Sequence, residues 1–162
     1  MATETRKPIL ISGAGLASLL LARSLLRSKI PFQIFERDGS LSFRGQGYRL
    51  RMSNEGLDAI EEVLGPDGFA KFWDTCSKTG GSKGFASIDA NTGEEVPMEG
   101  PSYTTEKKPP KEMLTSRDNK TIGISRGEMR ALFMEGCEPY VQWSHQVTGY
   151  ELTENGVSSV AE

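Results

Sequence analysis

The 162-residue chain is poor in the residues that build metal and nucleophile centres: it has two cysteines, Cys76 and Cys137, and one histidine, His145. The cysteines stand far apart, without a CxxC pair or the spacing of metal ligands, so we expect reduced structural thiols. No Ser-His-Asp, Cys-His or metal constellation can be assembled around His145, which we expect to be structural and to lie in a strand. The sequence therefore argues against a hydrolase or a metalloenzyme.

Long apolar runs and a large net charge are also missing. The apolar segment after Lys7 is interrupted by Gly13, Gly15, Ser18 and Arg23, so it stays short of the ~20 residues of a membrane helix, and no signal peptide is recognisable. The net charge is −3, which gives no reason to expect nucleic acid or an anionic membrane as a partner. We expect a cytoplasmic protein whose residues 1–162 form one domain, because domains usually run to about 100–200 residues.

The first forty residues follow the pattern of a β-α-β unit. Residues 9–11 are a short apolar run stopped by glycine, typical of a fully buried strand of a parallel sheet. Residues 16–28 combine a wide leucine-rich face with one polar stripe, which predicts a helix packed on a sheet. Pro31 breaks the chain, and residues 32–35 are typical of a second strand. The sequence thus predicts an α/β, Rossmann-like fold with a right-handed crossover.

The residues between the first strand and the helix are suited to phosphate. A helix N-terminus offers free backbone N–H groups and a partial positive charge, so it can hold a pyrophosphate without basic side chains. Gly13 would permit the tight turn and Gly15 the close approach of the phosphate, while Ser18 takes the place of the third glycine of G-x-G-x-x-G. Glu36 follows at about the expected 20-residue distance, where a carboxylate can accept hydrogen bonds from both ribose hydroxyls and repel a 2′-phosphate. The alternative is a tight turn and a solvated strand end that bind nothing.

Further elements are predicted along the rest of the chain. Polar, proline-containing residues 98–120 indicate a mobile loop. Two helices are predicted before this loop, one over 54–64 that is capped by Ser53 and ended by Gly65-Pro66, and a short one at 69–73. A hairpin over 85–96 with its turn at 91–93 follows them. After the loop, the sequence predicts a strand at 121–125, a helix capped by Ser125 with Glu128, and a hairpin of strands 147–152 and 157–160 around Asn155-Gly156.

Two segments carry a resemblance to a known family. FERDGSLSFRGQGYRLRMSNEGLDAIEEVLG resembles the N-terminal part of FAD-dependent monooxygenases of the aromatic-hydroxylase type, in which the ribose-binding acid is followed by an arginine, a glycine-containing segment and a helix. Glu36, Arg44, Gly45 and Gly47 match this order. IGISRGEMRALF resembles the family's later strand, arginine and helix, and Arg126 is the matching arginine.

The resemblance implies a site for FAD. The glycine turn and the amides after it would cradle the pyrophosphate, Glu36 would bind the adenosine ribose, and Arg44 and Arg126 would lie near the ribityl–pyrophosphate portion, since guanidinium groups suit phosphate oxygens. The full set of residues assigned to the cofactor is Gly13, Gly15, Leu16, Ala17, Glu36, Arg37, Arg44 and Arg126. No catalytic residue can be assigned.

The resemblance also implies an oxidoreductase in which a flavin, reduced by NAD(P)H, hydroxylates or epoxidises a small organic, secondary-metabolite-like substrate. The chain is far shorter than family members and lacks their later Asp-Gly and Gly-Asp motifs, so we expect a Rossmann-like FAD-binding domain with a parallel sheet and additional hairpins, incomplete relative to the family. Such a sheet would expose an unpaired edge, which self-association or a partner chain would complete. A non-catalytic nucleotide-binding or interaction protein and an NAD-dependent Rossmann oxidoreductase are the alternatives.

Overall fold

The fold is seen in a computed structural model, which describes residues 6–42, 48–80, 87–96, 117 and 120–161. The elements in chain order are β1 (Ile9–Ser12), α1 (Leu16–Arg27), β2 (Phe32–Glu36), β3 (Arg49–Met52), α2 (Asn54–Thr75), β4 (Ser77–Gly80), β5 (Ser87–Ile88), β6 (Glu95–Val96), β7 (Lys120–Ser125), α3 (Arg126–Met134), β8 (Val141–Trp143), β9 (Val147–Thr153) and β10 (Gly156–Ala161).

A parallel sheet of three strands, in the order β1-β2-β8, contains the predicted β-α-β unit. The β1-α1-β2 unit forms as predicted, with Ile9 opposite Phe32 and Ser12 opposite Phe35. The prediction that the first strand is fully buried was wrong. Only Ile11 of β1 is buried, whereas Ile9 is 43% exposed, because β1 pairs only with β2 among the described strands.

A second sheet is antiparallel and ordered β3-β7-β4. The sequence analysis predicted β7 but missed both of its neighbours. The β3 sequence RLRM and the β4 sequence SKTG are short and rich in polar side chains, so neither has the apolar character of a predicted strand. The fold class is confirmed: a mixed α/β structure with a parallel sheet and additional antiparallel strands.

Both predicted hairpins form where the structure describes them. Strands β5 and β6 pair antiparallel, with residues 85 and 86 outside the described residues. Strands β9 and β10 pair antiparallel as predicted, with Glu154 and Asn155 forming the turn and Gly156 already paired with Thr153. The predicted loop over 98–120 lies outside the described residues except for Arg117, which pairs with Asp58 and Glu61, and Lys120, which begins β7.

The hydrophobic core lies between the helices and the sheets. Leu19 from α1, Ile34 from β2 and Leu57 from α2 are completely buried. The rings of Phe72 and Phe133 stack with centroids 6.4 Å apart and join α2 to α3. The predicted break in α2 occurs at Gly65, whose φ of 70° lies in the left-handed region that favours glycine.

Two absences hold for the part of the chain that the structure describes. No helix there has both the length and the apolar character needed to cross a membrane. No three His, Cys, Asp or Glu side chains come together there in a way that could hold a metal ion. Neither finding tests the cytoplasmic location, which stays a prediction.

Alkylation of the buried thiols is expected to be slow. Burial raises the pKa of Cys76 to about 11 and also raises the pKa of Cys137, and only a thiolate reacts quickly. With iodoacetamide at pH 8 we expect native Cys76 to react roughly 100-fold more slowly than in urea-unfolded chain, because an unfolded thiol has a pKa near 8.5. Equal rates, measured by mass spectrometry, would contradict the burial.

The same raised pKa sets the direction of a pH effect on stability. An unfolded Cys76 loses its proton near pH ~8.5, whereas the folded one keeps it until about pH 11. The native state therefore binds more protons in this range, and the free energy of unfolding decreases as the pH rises from ~8.5 to about 11.

Candidate nucleotide-binding site

The turn between β1 and α1 has free space next to both of its glycines. Gly13 has φ +89°, a conformation that L side chains rarely adopt, and its N–H donates to Phe35 O at 2.7 Å. Gly15 precedes α1 with φ −76°, and a Cβ built on it would meet no heavy atom within 4 Å. The turn thus leaves space in front of the first amides of α1, where an anion is favoured.

Glu36 lies at the end of β2 and is buried at 7% exposure. Its Oε2 accepts a hydrogen bond from Ala14 N at 2.7 Å, and its Oε1 accepts one from Asp38 N at 3.0 Å. The carboxylate is therefore not a solvated strand end. It ties the glycine turn to the segment that follows β2.

Arg130 is the main residue of this site that the sequence analysis missed. It extends from α3, is 3% exposed, and forms an ion pair with Glu36 at 3.2 Å. Its Nε also donates to Ala14 O at 2.9 Å. A signal was present in the sequence: a charged residue stands inside the buried stripe that Met129 and Phe133 form on α3, and buried arginines are rare unless they are paired.

Arg126 begins α3 and faces the same region. The helix is capped as predicted, because Ser125 Oγ accepts from Glu128 N at 3.1 Å. The N–H of Arg126 donates to Tyr48 O at 3.1 Å, and its guanidinium carbon lies 5.9 Å from the centre of the Tyr48 ring. A cation at a helix N-terminus is electrostatically unfavourable on its own, so a bound anion nearby would stabilise this arrangement.

These elements surround an open cleft of about 540 Å³, within the usual size range of small-molecule sites. Five predicted residues line it together: Gly13, Gly15, Glu36, Arg37 and Arg126. Leu16 and Ala17 form the first turn of α1 beside the cleft. Arg44, Gly45 and Gly47 lie outside the described residues.

His145 was expected in a strand and is instead in the short connection between β8 and β9. Ser144, directly before it, adopts φ 58° and turns the chain. The His145 N–H donates to Glu36 O at 2.9 Å, and its ring Nδ1 lies 2.7 Å from Trp143 O. His145 therefore lines the cleft from this connection.

A glycine turn at the start of a helix, between parallel strands and beside a carboxylate at the end of the second strand, is the arrangement typical of Rossmann-like folds. No family model matches the chain. The chain is 28% identical over 152 residues to the dual O-methyltransferase/FAD-dependent monooxygenase elcB of Phaeosphaeria nodorum, covering 94% of this chain and 15% of that protein. It is 29% identical over 160 residues to the FAD-dependent monooxygenase aptC of Emericella nidulans, covering 92% of this chain and 35% of that protein.

A solved structure has the same fold. The flavin-dependent monooxygenase PieE, in complex with FAD and substrate, matches with a TM-score of 0.61 at 19% identity, covering 99% of this chain and 27% of PieE. The resemblance drawn from the sequence is thus confirmed: the curated homologues of this chain are FAD-dependent monooxygenases. The chain spans about a third or less of the length of these relatives.

Proposed function

We propose that this chain binds FAD as the N-terminal part of a flavoprotein monooxygenase. The main observation behind this proposal is that the open glycine turn, Glu36 and Arg126 all line one cleft. These groups suit a pyrophosphate, a ribose and a phosphate oxygen in that order. The relatives named above are FAD-dependent enzymes, which favours FAD over NAD.

The residues present fit the cofactor. The empty volume around the Gly15 position allows a pyrophosphate to approach the amides of Leu16 and Ala17. Glu36 would accept a hydrogen bond from the adenosine ribose, and Arg126 would bind a phosphate oxygen. Arg37 follows Glu36 at the rim and lines the same cleft.

The bound flavin would supply oxygen transfer to an organic molecule. We propose hydroxylation or epoxidation of a small secondary-metabolite-like substrate, with NAD(P)H as the electron donor. The similarity to FAD-dependent monooxygenases alone supports this part of the proposal, and no residue of this chain is assigned to it. This chain's own residues contribute binding and orientation of the adenine end of the cofactor.

Visible absorption tests the proposal directly. The purified chain is titrated with FAD, and bound flavin is measured after removal of free cofactor, before and after addition of NADH or NADPH. We expect stoichiometric yellow protein. Bound flavin that neither donor reduces would favour the non-catalytic nucleotide-binding protein. A colourless protein that ignores FAD and binds NAD would contradict the proposal and favour a plain Rossmann oxidoreductase.

An Arg126→Ala variant is expected to weaken FAD binding by about 10- to 100-fold, because a hydrogen bond to a charged group contributes roughly 1.5–3 kcal/mol. The measurement is the dissociation constant for FAD from quenching of flavin fluorescence. The melting temperature is measured alongside, so that a loss of affinity can be separated from a loss of folding.

Arg27→Ala is the matched control for this variant. Arg27 is exposed at the end of α1 and donates to Glu62 O, outside the residues that line the cleft. The control should bind FAD within about twofold of the wild type, as surface substitutions usually have small effects. An Arg126→Ala variant that binds FAD as tightly as this control would remove Arg126 from the proposed site.

The exposed edge of the parallel sheet supports a proposal about partners. Among the described strands β1 pairs only with β2, and its Ile9 and Leu10 are 43% and 37% exposed. Such an edge offers backbone groups and apolar side chains to another chain. We propose that self-association or a partner chain completes the fold here. Light scattering of the purified chain, with Leu10→Lys as the variant that should reduce association, tests this part.

A further inference from the structure

The guanidinium of Arg130 connects three separate segments of the candidate site. Its Nε donates to Ala14 O at 2.9 Å, its Nη1 to Leu41 O at 3.1 Å, and its Nη2 to Glu36 Oε2 at 3.2 Å. The group is 3% exposed and also lies 5.9 Å from the centre of the Trp143 ring. A planar guanidinium can donate in these several directions at once, whereas a lysine ammonium on the same stem cannot reproduce the fork.

The hydrogen bonds at Glu36 show what this connection does. A carboxylate has about four acceptor positions. Oε2 accepts from Ala14 N and from Arg130, and Oε1 accepts from Asp38 N. About one position, on Oε1, is left for a ligand. The carboxylate is therefore held in one orientation before any ligand arrives, which reduces the entropy lost on binding.

Arg130 and Glu36 both bind the backbone of Ala14, the middle residue of the glycine turn. Arg130 holds the carbonyl of Ala14, and Glu36 holds its N–H. Ala14 is completely buried and stands between Gly13 and Gly15, the two residues whose backbone leaves room for phosphate. The ion pair thus fixes the turn and the carboxylate relative to each other.

We propose that Arg130 is a positioning residue for the adenosine diphosphate end of the cofactor. It holds Glu36 so that one oxygen accepts a single ribose hydroxyl, and it holds the turn in its phosphate-binding form. It acts through Glu36 and Ala14, because its described hydrogen bonds go to protein acceptors. The proposal rests on the proposed function for its ligand, FAD, but its structural part can be measured without one.

The first experiment is a mutant cycle read out as FAD affinity. We expect Arg130→Lys to weaken binding about 10-fold and Arg130→Met about 100-fold, the range for a lost hydrogen bond to a charged group. Glu36→Gln should weaken binding about 10-fold in the wild type and less than about threefold in the Arg130→Met background, because the orientation of Glu36 is already lost there. Additive losses, or an Arg130→Met variant with wild-type affinity, would overturn the proposal.

The double variant of this cycle and one additional control keep it interpretable. The Glu36→Gln/Arg130→Met protein replaces the buried ion pair with neutral groups, which avoids an unpaired buried charge and preserves folding. Arg27→Met removes an exposed arginine that also donates to a backbone carbonyl, and it should bind FAD within about twofold of the wild type. A comparable loss in Arg27→Met would show that the effect is general, and would also overturn the proposal.

The second experiment does not require FAD. Amide hydrogen exchange is measured by NMR at Ala14 and Asp38, whose N–H groups donate to Glu36, and at Gly13, whose N–H donates to Phe35 O. In Arg130→Lys we expect exchange at Ala14 and Asp38 to be at least ~10-fold faster, with Gly13 unchanged. Unchanged exchange at Ala14 overturns the positioning role.

The two experiments separate this inference from the proposed function. If the wild-type chain does not bind FAD, the proposed function fails, and faster exchange at Ala14 in Arg130→Lys still supports the role of Arg130 in holding the turn and Glu36. If the wild type binds FAD and the Arg130 variants bind equally well, the proposed function stands and the inference fails.

Discussion

A Gly15→Trp variant is expected to fold like the wild type and to bind FAD at least ~100-fold more weakly. The backbone at Gly15 has φ −76°, which any residue adopts, and a Cβ there meets no heavy atom within 4 Å. The indole would therefore enter the open space in front of the turn without straining the protein, and it would occupy the volume that a pyrophosphate needs. The measurement is FAD affinity from flavin fluorescence, together with the melting temperature.

Leu21→Trp is the matched control for Gly15→Trp. Leu21 is on α1, the helix that Gly15 precedes; it is 48% exposed and is not part of the cleft lining. It should bind FAD like the wild type. A change of N-cap residue costs up to about 1 kcal/mol, so the melting temperature of Gly15→Trp should stay within roughly 4 °C of the wild type. A Gly15→Trp protein that retains full affinity would show that no phosphate approaches this turn.

A Phe133→Ala variant is expected to lose about 3–5 kcal/mol of unfolding free energy, which is a large part of the ~5–15 kcal/mol of a typical domain. Phe133 is 1% exposed and stacks on Phe72, whose ring also stacks on Phe69 with centroids 5.9 Å apart. Removing the ring leaves a cavity between α2 and α3 that rigid neighbours cannot fill. Urea unfolding should show a midpoint lower by about 1–2 M.

Tyr150→Ala is the control for the loss of an aromatic ring. Tyr150 is 72% exposed on β9, so its removal should change the unfolding free energy by less than about 0.5 kcal/mol. If Phe133→Ala is no more destabilising than Tyr150→Ala, then α3 does not pack on α2 as described. Because α3 also carries Arg126 and Arg130, Phe133→Ala should weaken FAD binding as a secondary effect.

The local elements were predictable because their signals are short in range. A glycine between an apolar run and a leucine-rich stripe predicts the strand, turn and helix of β1-α1 from neighbouring residues alone. Ser53 and Ser125 cap α2 and α3 as predicted, since each hydroxyl accepts from a backbone N–H three residues later. Asn155-Gly156 predicts the hairpin through its backbone preferences, although the turn itself is formed by Glu154 and Asn155.

The strands β3, β4 and β8 were not predictable in their pairing, because their stability comes from strands distant in sequence. Leu50 pairs with Ile124, and Ile34 pairs with Val141. A four-residue polar segment such as β4 becomes a strand because β7 offers backbone partners to it. Strand preference depends on context more than on the residues themselves.

The sequence by itself determined the glycine turn, the carboxylate at the end of β2 and the resemblance to FAD-dependent monooxygenases, because each rests on residues close together in the chain. Only the tertiary structure decided that Glu36 is buried and paired with Arg130, and that His145 lines the cleft. These contacts join residues about ninety or more positions apart, such as Glu36 and Arg130. Long-range contacts of this kind form only when the whole chain packs. Burying a charge without a partner costs free energy, so Glu36 and Arg130 become a stable pair only in the packed structure.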